Sequence, residues 1–169
     1  MHKSLLPTAI AASLFALAGS ANAATATTTF GVTATVLKNC SVTASALAFG
    51  NYTPTTGAVN GTTTVGVRCT KNTSFSVALD KGTTTGGSIT QRLLANGANA
   101  LQYNLYTDTA HTTLFGDGTT GTAPTGTGNG LGAGAAVNFT VYGQVPDSSA
   151  NQDAVPGNYS DTITVTVTY

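Results

Sequence analysis

The stretch Tyr159–Tyr169, YSDTITVTVTY, alternates without interruption: Tyr159, Asp161, Ile163, Val165, Val167 and Tyr169 fall on one side, Ser and Thr on the other. A period of two puts one face on a core and the other in water. Back along the chain the same pattern recurs, with turn signals about every ten residues, the spacing of a sandwich or barrel. Val137–Val145 aligns Val137, Phe139, Val141, Gly143 and Val145. Ile89–Leu94, Leu101–Tyr106 (LQYNLY), Phe75–Leu79 and Thr63–Thr70 read as further strands. Cys40–Phe49 carries Val42, Ala44, Ala46 and Ala48 in one register, with a shift expected at Leu47 and Phe49. Between these runs lie Pro54 with Gly57, Asn60-Gly61, Gly86-Gly87, Asp117-Gly118 and Pro156-Gly157-Asn158, all turn chemistry. Gly116–Gly134 is rich in Gly and Thr and reads as a long mobile loop. No helix of ordinary length is expected after residue 23.

Composition agrees. Of 169 residues, 34 are Thr and 20 are Gly, while Glu and Trp are absent and only 7% are charged. Helix formers are scarce and β-branched residues abundant, an all-β composition. Six basic residues against six Asp leave no basic footprint for nucleic acid. Disorder driven by charge is excluded on the same count.

Residues 1–23 have a different character. His2 and Lys3 precede the apolar run Leu5–Ala18, and Ala21-Asn22-Ala23 closes it, the three parts of a secretion signal. The run is about 14 residues and contains Pro7, too short to span a bilayer as a helix. Cleavage after Ala23 would leave 146 residues with five basic and six acidic groups. Export to an oxidising compartment makes the only two cysteines after the signal, Cys40 and Cys69, a disulfide pair. Chain entropy assigns a loop of about 30 residues roughly 3–4 kcal/mol of stabilisation. With no CxxC and a single His beyond the signal, a metal site is not expected.

Candidates for chemistry are few. Gly128–Ala133 fits G-x-G-x-x-A on paper, but a nucleotide loop needs a strand before it and a helix after it, and here a strand follows. His111 lies in a polar turn, and hydrolysis would need a base or a positioned carboxylate pair. Asp161 shares the inward register of the last strand, where a structural hydrogen bond to a neighbouring loop is the expected role. Sequons such as Asn60-Gly-Thr62 and Asn138-Phe-Thr140 arise by chance at this Thr content. A carbohydrate-binding sandwich would want Trp and exposed aromatics. No enzyme is expected.

One segment stands apart from this inventory. Phe30, Val32, Ala34 and Val36 form an apolar comb ahead of the first cysteine. Two readings are open. The comb is the domain's own first strand, or it leaves its domain and adds to the open edge of a neighbour, where main-chain bonds give affinity and pockets receive alternate side chains.

The order Cys40, Phe49-Gly50-Asn51-Tyr52, Val67-Arg68-Cys69-Thr70, Gln91-Arg92, Leu101–Tyr106, Val141–Pro146 and Gly157–Tyr169 resembles the spore coat protein U domain. Within it, the chain is similar to the major pilins of archaic, Csu-type chaperone–usher pili of Gram-negative bacteria. The resemblance implies an incomplete immunoglobulin-like β-sandwich, completed by a donor strand from a neighbouring subunit. Residues 1–23 would be the signal, 24–38 the donor segment and 39–169 the sandwich. Phe30, Val32, Ala34 and Val36 would be the donor residues, with Ala34 filling its pocket shallowly. The acceptor groove would run between Cys40–Phe49 and Tyr159–Tyr169 and include Val42, Phe49, Ile163, Val165 and Val167. The implied partners are identical or related pilin subunits joined head to tail, a periplasmic chaperone and an outer-membrane usher. The chain would pass the inner membrane to the periplasm and end in a cell-surface pilus serving adhesion and biofilm formation. No cofactor, metal, nucleic acid or small-molecule substrate is implied. The competing expectation is a secreted spore or cell-surface coat protein that docks the N-terminal strand into itself.

Overall fold

A computed structural model describes residues 23–169, so the signal expected over residues 1–23 lies, apart from Ala23, outside the described residues. The chain divides into two units between Thr35 and Val36. In the first, residues 23–35 carry no helix or strand and are exposed. The second is a β body.

Eight strands and one helical turn make up that body: β1 (Cys40–Ala44), β2 (Val59–Cys69), β3 (Ser74–Leu79), β4 (Arg92–Asn96), β5 (Asn99–Tyr106), β6 (Thr125–Thr127), β7 (Val137–Val145), α1 (Ser149–Gln152) and β8 (Val165–Thr168). They form two sheets. One has the order β1-β2-β7-β5-β4 and the other β6-β3-β8. All pairings are antiparallel. This is an incomplete immunoglobulin-like β-sandwich.

The core lies between the sheets and draws on alternate residues of each. Val65, Val67 and Cys69 of β2, Val141 and Val145 of β7, and Leu101, Tyr103 and Leu105 of β5 face Phe75, Val77 and Leu79 of β3. Cys40 and Cys69 stand opposite each other in register and are bonded, tying β1 to β2 at its end.

Asn60-Gly61, expected as a turn, lies inside β2 with Gly61 opposite Gly143 of β7, and the strand expected over Cys40–Phe49 ends at Ala44. Two further departures have a physical reason. The alternation of Tyr159–Tyr169 holds, since residues 161, 163, 165 and 167 are half-buried and their neighbours exposed, but only Val165–Thr168 is a strand. The reason is a change of partner. Ser160 exchanges both main-chain bonds with Ala95 of β4, at 2.8 and 3.0 Å, whereas Leu79 of β3 pairs with Val165. The segment crosses from one sheet to the other, so no continuous ladder forms. The second correction concerns Gly116–Gly134, which is pinned rather than loose. Phe115 is fully buried, β6 pairs with β3, and Gly128 N–H donates to the Thr73 carbonyl at 2.8 Å. A side chain at Gly126 would collide with the Phe75 ring.

Two polar residues that periodicity does not mark hold the body together. Arg92 is 0% exposed, and its guanidinium donates at 2.9 Å to the Asp80 carbonyl, the Asn104 side-chain oxygen and the Phe115 carbonyl. Burial lowers its pKa, and the carboxylates of Asp80, Asp161 and Asp117 oppose that only at a distance. Asn151, in α1, mimics a strand neighbour: its side chain accepts from the Gln102 N–H and donates to the Gln102 carbonyl. A helical turn thereby covers main chain of β5 that no strand reaches.

Candidate functional site

β1 is hydrogen-bonded only to β2, and β8 only to β3. These two free edges lie beside each other along one side of the sandwich, with no ladder between them. Each leaves a row of main-chain donors and acceptors without a strand partner, the arrangement that templates an added strand. The two sheets therefore meet at an open seam.

After Ala44 the chain leaves β2 and folds over the sheet, and the register shift at Leu47 and Phe49 occurs as the sequence suggests. Both side chains are half-buried against the core, while Ala46 and Ala48 are exposed. They rest on Gly61 of β2 and Gly143 of β7, which stand opposite each other in register. Two facing glycines leave a bare patch on the inner face, and Leu47 and Phe49 occupy it.

At this end the seam opens into a cavity of about 630 Å³ between Leu47–Tyr52 and Ala154–Asp161, with Leu94, Leu101 and Val145 also lining it. Tyr103 links the two sides. Its ring meets the Phe49 ring edge-on at 5.9 Å, and its hydroxyl donates to Asp161 Oδ2 at 2.7 Å. The other oxygen of Asp161 accepts from the main chain and hydroxyl of both Thr83 and Thr84, at 2.9–3.1 Å. Burial works against the Asp161 charge, yet the hydrogen bonds from Tyr103, Thr162 and Thr84 outweigh it and hold the carboxyl below its ordinary pKa. Burial, and then the bond to Asp161, push the Tyr103 hydroxyl strongly upward. The structural role expected of Asp161 is what the geometry gives.

A second carboxylate fixes the first wall. Asp147, just past β7, accepts from the Tyr52 hydroxyl at 2.6 Å and from the main-chain N–H of Thr55 and Gly57. Burial and this bond raise the Tyr52 pKa to about 12. The loop that Asp147 holds is tight enough to put Thr55 at φ 68°.

The residues singled out by sequence fall as follows. Val42 on β1, and Ile163, Val165 and Val167 at β8, carry partly open apolar side chains along the two edges, and Phe49 lies at the cavity. Phe30, Val32 and Val36 are 86%, 83% and 87% exposed, and Ala34 is exposed as well. Asp147 was not marked by sequence, Gly61 was expected in a turn and Tyr103 only as part of a strand; the shift at Leu47 and the glycine at 143 inside an apolar register were the visible hints. His111 meets the Tyr106 ring edge-on at 5.2 Å and lies 3.4 Å from the Gln144 amide. Gly128–Ala133 serves as a main-chain partner of the Cys69–Thr73 turn, with Asn72 N–H donating to the Gly128 carbonyl. Among the described residues no cluster of three His, Cys, Asp or Glu side chains could hold a metal ion, and no helix is long and apolar enough to cross a membrane.

The chain is thus an incomplete β-sandwich whose first and last strands, β1 and β8, are edges with no ladder between them. It belongs to the Spore Coat Protein U domain family, whose pattern matches residues 26–166 and so includes the apolar comb. Among solved structures it is similar to a chain of the CsuC–CsuE chaperone–tip adhesion subunit pre-assembly complex from archaic chaperone–usher Csu pili of Acinetobacter baumannii. The identity is 23% and the TM-score 0.52, over 80% of this chain and 40% of that one, a likeness of fold. No curated protein sequence matches the chain.

Proposed function

We propose that this protein is a structural subunit of a chaperone–usher surface pilus, in which Phe30–Val36 of one copy fills the seam between β1 and β8 of the next. The observation that carries the reading is the pair of facing strand edges with no ladder between them, in a chain that exposes an apolar comb of matching period. An added strand would bond to both edges and place alternate side chains inward. Burying Phe30, Val32 and Val36 contributes about 1.5–3 kcal/mol each, and Ala34 less. The contact joins two different surfaces and does not close on itself, so it propagates as a filament. Before assembly a periplasmic chaperone would lend a strand to the same seam, and an outer-membrane usher would oversee its exchange. The kinship of fold with a chain from a chaperone–usher pre-assembly complex supports this order of events. Adhesion and biofilm formation follow as the role of the fibre. The site asks for no cofactor.

Val32→Asp tests the donor assignment. It would bury an unpaired charge in the seam of the next copy, and is expected to abolish polymerisation while leaving capture by the chaperone intact. Fibres of normal length from this variant refute the assignment. A heat-stable monomer with a protease-resistant N-terminus would identify a self-complemented coat protein instead.

A further inference from the structure

Charge on the β body is sorted by end, with Lys38, Lys71 and Asp153 exposed and Arg68 and Asp147 half-buried. Around the disulfide, where Cys40 pairs with Cys69 and Ser41 with Arg68, stand Lys38, Arg68 and Lys71. At the opposite end, where Val59 pairs with Val145, stand Asp147 and Asp153. The intervening β2 separates the two by about 33 Å. Of the remaining acids, Asp161 lines the cavity at the Asp147 end and Asp80, with Lys81 next to it, follows β3 on that side, while Asp108 and Asp117 sit on loops after β5. Tyr169 lies at the disulfide end, and a free carboxylate there would still leave that end positive by two.

The seam has its two mouths at these same ends, and the tether between donor and body is short. Asn39 is fixed by its bonds with Thr70, leaving only Leu37 and Lys38 between it and Val36. Three residue steps reach at most about 11 Å. Whichever mouth the Val36 end leaves by, the disulfide end of the donating copy must abut that mouth. At the disulfide mouth, Lys38, Arg68 and Lys71 of two copies would be pressed together across a tether of at most about 11 Å, comparable to the Debye length of about 8 Å. At the cavity mouth they meet Asp147 and Asp153, and Leu37, 77% exposed, meets Val155, 50% exposed.

We infer that copies of this chain dock end to end through a second, charged contact: Leu37, Lys38, Arg68 and Lys71 of one copy against Asp147, Asp153 and Val155 of the copy that holds its donor strand. The inference rests on the donor-strand reading and extends it, because it names which surfaces of two copies meet where the donor leaves the seam. Charges arranged this way steer the approach of two copies and disfavour the wrong mouth.

The test uses the purified exported chain, with joining followed by light scattering and native electrophoresis, beside a capped synthetic peptide of residues 24–36, which carries no charged side chain. Joining is expected to slow about tenfold between about 20 and about 500 mM NaCl, while peptide binding stays constant. Asp153→Lys and Lys71→Asp, both at exposed positions, should each slow joining about tenfold, and the two together in one chain should restore it, since every junction then pairs the reversed charges. Peptide binding with no effect of either reversal, or reversals that the double variant does not rescue, overturns the charged contact and leaves the donor reading standing. Failure of the peptide to bind overturns both.

Discussion

Gly143→Ala probes how the wall of the seam is seated. A Cβ at this position would stand 2.9 Å from Leu47 Cδ1 and 2.9 Å from Phe49 Cε1 and Cζ. Carbon atoms prefer about 3.5–4.0 Å, so both side chains must retreat by more than half an ångström on average. Overpacking of this kind costs about 1–3 kcal/mol. Against it, alanine narrows the unfolded ensemble and returns about 0.4–1 kcal/mol. The net expectation is a loss of about 1–2 kcal/mol, a fall of about 5- to 30-fold in the folding constant. Urea unfolding followed by tyrosine fluorescence measures it, since the chain has no Trp. Gly132→Ala is the control: its Cβ would meet nothing within 4 Å, and its stability should be unchanged or slightly raised. Because Leu47 and Phe49 can retreat only toward the seam, binding of the residue 24–36 peptide should weaken in the same variant. Adding Leu47→Ala to Gly143→Ala should recover part of the loss, a coupling that two independent sites would not show. A Gly143→Ala chain with the wild-type unfolding midpoint and the wild-type peptide affinity would refute the claim that the paired glycines seat this wall.

Three further outcomes follow from the body of the fold. Replacing both Cys40 and Cys69 by Ser opens a loop with a sequence separation of 29 and should cost about 3–4 kcal/mol in urea unfolding; a cost under about 1 kcal/mol would contradict the staple. Arg92→Lys should lose at least about 3 kcal/mol, because an ammonium cannot reach the separate acceptors on Asp80, Asn104 and Phe115, and each orphaned buried acceptor costs about 1–3 kcal/mol; thermal unfolding reads it. Asp161 has a folded pKa below its unfolded one, so its contribution is complete above the unfolded value of about 3.9 and is lost as the pH falls through the depressed folded value. Asp161→Asn should therefore flatten the acid limb of a stability–pH curve measured between about pH 2 and pH 5, and an unchanged limb would remove Asp161 from the account.

Much of the fold was legible because period two survives what happens to a strand. Val137–Val145 is a strand over the whole of the span that its alternation marks, and Tyr159–Tyr169 keeps its inward and outward faces as far as Val167, with Tyr169 exposed. What alternation cannot carry is the identity of the partner. Nothing in YSDTITVTVTY says that Ser160 bonds to β4 while Val165 bonds to β3, because the side-chain pattern is the same whichever sheet lies alongside. Gly116–Gly134 misled for the converse reason: its links to β3 and to the Thr70 turn are main-chain bonds, and glycine contributes those without leaving an apolar signature.

The same limit explains which parts of the seam were visible. Its apolar edges, Val42 and the Ile163–Val167 run, belong to alternating strands. The parts that hold it open are polar and lie far apart in sequence. A sandwich short of one strand has every hydrophobic reason to close over the gap. Here the walls are fixed in place by contacts across long stretches of chain: Phe49 against Tyr103, Tyr103 to Asp161, Asp161 to the Thr83–Thr84 loop, and Tyr52 to Asp147. The edges themselves are short, five residues in β1 and four in β8, which limits unguided pairing between copies. Buried tyrosines with displaced pKa values and carboxylates saturated by hydrogen bonds are also the marks by which a catalytic centre is recognised. In this chain they fix the two walls of the seam, and their electrostatics are spent on shape.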